Sequence, residues 1–169
     1  LMRSSAASDV YKRQIINTKG VFAEDRRIRT RFTINAVASN ETEKQTGSVS
    51  PGALMGFEFY DTINLNDLAK EASRSAVTML KATPCPSGKM PVVIDNGFGG
   101  VIFHEACGHS LEAIKVARGD SAFCGKMGEK IASDKVTAID DGTILNKWGS
   151  INIDDEGTET QKTVLIENG

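Results

Sequence analysis

Three residues in one short stretch could do chemistry together: His104, Glu105 and His109. They include both histidines of the 169-residue chain, with a carboxylate directly after the first. Imidazole nitrogens are common zinc ligands, and a carboxylate beside such a ligand suits a general base. The familiar short zinc motif spaces its histidines so that both rings leave one helical face. Here the second histidine comes one residue later, and five steps of a regular α-helix would leave the rings about 140° apart. A single π-bulge absorbs the extra residue and points the rings together again. Gly108, just before the second histidine, has no Cβ and is expected to tolerate that distortion best. The spacing therefore predicts a helix bulged near Cys107–Gly108, two imidazoles converging on one zinc ion, and a free Glu105. Leaving the helix at a different angle, Glu105 would face a zinc-bound water rather than the zinc. The competing reading is a surface histidine, or one satisfied inside a core. Gly99, Gly100 and the apolar Val101, Ile102 and Phe103 instead suggest a helix start packed into a core, where buried imidazoles need partners that a shared metal supplies. Cys107 leaves the helix in another direction and reads as a small packed residue.

The elements that must position this stretch follow from pattern. Residues Pro91 to Asp95 read as a buried strand, Asn96 to Gly100 as a turn, and the motif helix as running to about Val116 or Ala117. A glycine-rich loop before a helix could cradle a phosphate, but the Lys-Ser/Thr ending of that motif is missing. Residues 66–82 have a helical period: Asn66 can cap, Asp67 suits the first turn, and Leu68, Ala72, Ala76, Met79 and Leu80 share a face. Pro84, Cys85, Pro86, Ser87 and Gly88 end it and predict a linker. Within residues 15–60, Arg31 to Val37 alternate as a strand, Asn40 to Gly47 read as a turn, and Gly56 to Tyr60 as a further strand. The arginines at 26, 27, 29 and 31 could bind an anion, but Glu24 and Asp25 lie beside them and a solvated strand face is the simpler reading. Further strands are expected at Lys135 to Ile139, Gly142 to Asn146, Ser150 to Asp154 and Thr163 onward. Asp140-Asp141-Gly142 and Asp154 to Gly157 read as turns, since they lack the twelve-residue calcium pattern.

Composition removes several classes. A content of 40% hydrophobic and 25% charged residues is that of a soluble globular protein. A net charge of −2 argues against nucleic-acid or anionic-membrane binding, and no apolar run is long enough for a membrane span. Three cysteines without paired spacing (Cys85, Cys107, Cys124) suit a reduced, cytoplasmic setting. Residues 1–14, from Leu1 to Gln14, read as a leader outside the fold, and Thr163 to Gly169 as a strand cut at a turn, so that the chain reads as part of a longer protein. The expected organisation is α+β: residues 15–84 in a truncated α+β domain, 85–89 a linker, and 90–169 the start of a mostly antiparallel β domain carrying the metal helix.

The ordered series Gly99 to Glu112, Gly125 to Ser133, Asp140 to Thr143, Asp154 to Thr158 and Leu165 to Gly169 resembles the TldD-type members of the TldD/PmbA family. The resemblance reaches back to Gly20 to Asp25 and Pro86 to Val93, and so covers nearly all of residues 15–169. It implies a zinc metallopeptidase with His104 and His109 as metal ligands and Glu105 as general base. It also implies a third ligand, a cysteine downstream of this chain, without which the fragment's own site is incomplete. Small or unfolded peptides, including precursors of modified peptides, are the implied substrates, cleaved in a chamber formed with a TldE-like (PmbA) subunit as a heterodimer. That second subunit type lacks the His-Glu pair, so the chain resembles the catalytic kind. A non-catalytic partner subunit and a module with a structural metal are the alternatives. A closed structural site needs four protein ligands and no Glu105.

Overall fold

Strand β2 (Phe22–Ser39) is the spine of the structure, a computed structural model that describes residues 1–169. Its buried positions change parity along its length. Asp25 and Arg27 are buried in the first half, and Thr30, Ile34 and Ala36 in the second. Successive strand residues face opposite sides of a sheet, so the two halves of β2 bury opposite faces. It pairs antiparallel with β1 (Met2–Ile16), with β3 (Lys44–Val49) and, through Thr30 and Arg31, with β4 (Gly52–Ala53).

One face is covered by α1 (Leu65–Leu80). The apolar period predicted this helix, but its cap is two residues earlier than expected. The Asn64 side chain, not that of Asn66, accepts from Asn66 N–H at 3.0 Å and Asp67 N–H at 3.3 Å. Ala72 and Ala76 are buried against Ile34 and Ala36, with Leu68, Phe32 and Val49 packed around them. Met79, expected on the buried face, is exposed. The small side chains let helix and sheet approach closely, and Gly47 on β3 takes this furthest. A Cβ there would lie 2.1 Å from the Ala72 carbonyl oxygen. Burying Ile34 in this layer contributes about 2 kcal/mol.

The opposite face of the first half is covered by the segment Asp141–Lys162, which clusters with Leu1–Cys85 as one compact unit. Buried Arg27 donates to the Asp25 carboxylate at 2.6 Å and to the Ile153 carbonyl at 2.6 Å, while Asn152 Nδ2 donates to Asp25 Oδ1. Their side chains are only 7% (Arg27) and 1% (Asp25) exposed. Burial pushes the Asp25 carboxyl up, but the hydrogen bonds from Asn152 and Arg27 outweigh it and hold it below the usual carboxylate range. The arginine run is therefore not one solvated face: Arg27 is buried, and Arg29 and Arg31 lie over the Trp148 ring at 5.7 and 4.7 Å.

Several expected elements differ. Residues 1–14 are not outside the fold, since Met2–Ile16 pairs with β2 along its whole length. None of its side chains is buried; the backbone ladder is supplemented by side-chain contacts of Ser8 with Thr30, Tyr11 with Arg29 and Lys12 with Glu24. Phe57–Thr62 is a 3₁₀ turn rather than a strand, closed by Glu58 Oε1 accepting from Gly56 N–H and seating Phe59 in the core. Residues 142–154 hold turns instead of two strands. Asn146 takes a left-handed conformation (φ 61°), and the Ser150 hydroxyl donates to the Ile144 carbonyl, diverting groups a ladder would use. Asp154 to Gly157 is a turn as expected, with Asp154 Oδ1 accepting from the backbone N–H of Glu156 and Thr158, whereas Asp140 and Asp141 end the strand Ala138–Asp141 and the turn starts only at Gly142.

The second unit comprises Pro86–Asp140 and Thr163–Gly169. The linear division at 85–89 does not foresee the return of Asp141–Lys162 to the first unit. Its regular elements are the motif helix and the antiparallel pair β5 (Ala138–Asp141) and β6 (Lys162–Ile166). The whole is α+β. Residues 91–95 form no strand: no edge pairs with them, and Val93 is 99% exposed.

Candidate metal centre

The motif helix is built from four short pieces. Helix α2 (Val101–Phe103) follows a 3₁₀ turn at Gly97–Gly100, then comes a π-turn at His104–Gly108, and a 3₁₀ turn at His109–Leu111. A break at Glu112 (ψ 128°) precedes α3 (Ala113–Arg118). The helix is thus not continuous to Val116. The π-turn falls where the histidine spacing requires it. His109 N–H donates to the His104 carbonyl, the five-residue bond that defines a π-turn.

The turn brings the rings together, with centroids 4.4 Å apart and planes at 63°. One ligand atom each from His104, Glu105 and His109 lies within 4.8 Å of the others. Glu105 stands inside this group rather than turned away from it: its Oε2 is 3.8 Å from His109 Nε2. Cys107 is not in the cluster, as its direction on the helix predicts.

Two expectations about the surroundings are corrected. The histidines are not buried, and Val101, Ile102 and Phe103 are exposed rather than packed into a core. Gly108 has ordinary right-handed dihedrals, and a Cβ there would meet His104 Nδ1 at 3.6 Å, a normal contact. The bulge therefore does not depend on glycine at that position.

Sequence reasoning missed Glu112. Its Oε1 lies 2.6 Å from His109 Nδ1, and its Oε2 3.8 Å from Lys115 Nζ. The hydrogen bond with His109, helped by the charge of Lys115, holds its carboxyl below the usual range. The available signal was a carboxylate three residues after a candidate ligand, a spacing at which helical side chains meet.

Two convergent imidazoles beside a carboxylate on an accessible helix form a donor set that could hold a metal ion. The chain matches the PmbA/TldA metallopeptidase central domain over residues 2–80 and the PmbA/TldA metallopeptidase C-terminal domain over residues 87–169. A metalloprotease of Methanocaldococcus jannaschii is 44% identical across 98% of this chain and 37% of its own length. A TldD homolog of Haemophilus influenzae, named a metalloprotease, is 39% identical across 98% of this chain and 36% of its own. The crystal structure of a protein from Thermotoga maritima, described as a proposed modulator of DNA gyrase, superposes with a TM-score of 0.81 at 25% identity. That match covers 98% of this chain and 37% of that one. The chain belongs to the TldD/PmbA family of metallopeptidases, and spans little more than a third of the length of these relatives. No helix is long and apolar enough to cross a membrane.

Proposed function

We propose that the chain carries the metal-binding and proton-transferring part of a zinc peptidase site. The observation that carries this reading is the π-turn, which folds two imidazoles and a carboxylate into one cluster within 4.8 Å. The donor set fits zinc: imidazole nitrogen suits this borderline-soft ion, and the exposure of the group leaves it an entry path. His104 and His109 would hold it through ring nitrogens, and the family resemblance assigns the third ligand to a cysteine beyond this chain. Zinc, when bound, would polarise the scissile carbonyl and make water more acidic.

The rest falls to Glu105. Its carboxylate is 66% exposed and lies 3.8 Å from His109 Nε2, so it can take a proton from the attacking water and return it to the leaving amine. The substrates proposed are small or unfolded peptides, including precursors of modified peptides. They would be cleaved in the cytoplasm, in a chamber shared with a TldE-like (PmbA) subunit. The test is zinc content and peptide cleavage in the complete gene product, alone and with a PmbA-like subunit, as wild type and Glu105→Gln. The variant is expected to keep its zinc and lose cleavage by about 10²-fold or more, the scale of general-base catalysis. Cleavage that survives Glu105→Gln removes this residue from the mechanism. Bound zinc with no cleavage in any form returns the chain to a structural-metal or non-catalytic role.

A further inference from the structure

We propose that Glu112 is the positioning residue of His109, an inference that rests on the metal-centre reading above. The carboxylate oxygen 2.6 Å from Nδ1 takes that nitrogen's proton as a hydrogen bond, so the lone pair of the neutral ring is on Nε2. Nε2 is the nitrogen on the side of Glu105. The acceptor is itself held. Its second oxygen faces Lys115 Nζ at 3.8 Å, and its backbone is fixed at the helix break, where the Glu112 carbonyl accepts from Lys115 N–H and Val116 N–H. The break between the π-turn and α3 thus has a use: it anchors the residue that selects the His109 tautomer. Carboxylates bound to the outer nitrogen of a ligand histidine raise its basicity and fix its ring, and losing one costs about 10–100-fold in metal affinity.

Because the chain has only two histidines, ¹⁵N-histidine labelling gives two ring systems and a direct reading of each tautomer. Long-range ¹H–¹⁵N spectra of the metal-free 169-residue chain, recorded at about pH 8.5 where ordinary imidazole is neutral, should show His109 with its proton on Nδ1. In Glu112→Ala that proton should move to Nε2, the form free imidazole favours, while His104 is unchanged. Titration with zinc alone should then give about 10–100-fold weaker binding. Glu112→Gln, whose amide oxygen accepts the same bond, should keep the Nδ1–H form and most of the affinity. An unmoved His109 tautomer in Glu112→Ala overturns the proposal, as does Glu112→Gln losing as much as alanine. His104→Ala separates the two claims. If it binds zinc as well as wild type, the metal centre is wrong, and the tautomer measurement still judges Glu112 by itself.

Discussion

The two units use their polar side chains in opposite ways. In the first, Asp25 and Arg27 are sealed under Asn152 and Ile153, and Gly47 is pressed against α1. In the second, His104, Glu105 and Glu112 stand open to solvent on a helix broken into short pieces, with apolar Ile102 and Ile114 exposed beside them. Stability is concentrated where charge is hidden, and the candidate chemistry where charge is accessible. Substitutions in the first unit should therefore move the melting point, and those in the second should move metal binding with little change in melting.

The largest expected effect is Asp25→Ala. It strands the buried Arg27 guanidinium, and breaking a buried pair by removing one partner costs about 3–5 kcal/mol, measurable by urea denaturation. The same pair gives a pH signature. The folded-state pKa of Asp25 is depressed, so its contribution is fully present above the unfolded value and is lost as pH falls through the folded one. Wild type should lose stability below about pH 4, and Asp25→Asn should flatten that acid limb. An unchanged limb would assign the acid sensitivity elsewhere.

Next is Gly47→Val, which drives a branched side chain into the Ala72 carbonyl and the Ala76 amide. Overpacking of this kind costs about 3 kcal/mol, and thermal melting should show it as a shift larger than any made by the motif variants. The smallest is Gly108→Ala. With ordinary dihedrals and a 3.6 Å contact, it should change stability by less than about 0.5 kcal/mol and leave zinc affinity near wild type. A large loss there would show that the bulge needs glycine after all and would blur the contrast between the units.

What the sequence made legible tracks how local each signal is. The period of α1 and the alternation of Arg31 to Val37 are written in neighbouring residues, and both elements form. The π-turn was readable because geometry leaves few ways for two rings five residues apart to meet. The burial of Arg27 was not readable beside three other arginines, because it depends on Asn152 and Ile153, more than a hundred residues on. Strand β1 was missed because its polar residues carry no buried face to give an apolar alternation. Residues 91–95 misled in the reverse direction, since an apolar run states a need for cover without supplying an edge to pair with. Glu112 was legible only as a carboxylate three residues after a candidate ligand, a weak signal that the contact of its Oε1 with His109 Nδ1 makes good.

The wide turn at His104–Gly108 also has a genetic reading. It differs from an ordinary helical turn by one inserted residue, so deleting the codon for Ala106 would place the two imidazoles four apart on a regular helix, again on one side. Amide exchange would register the re-threaded ladder. The unusual spacing is thus one codon away from the common one.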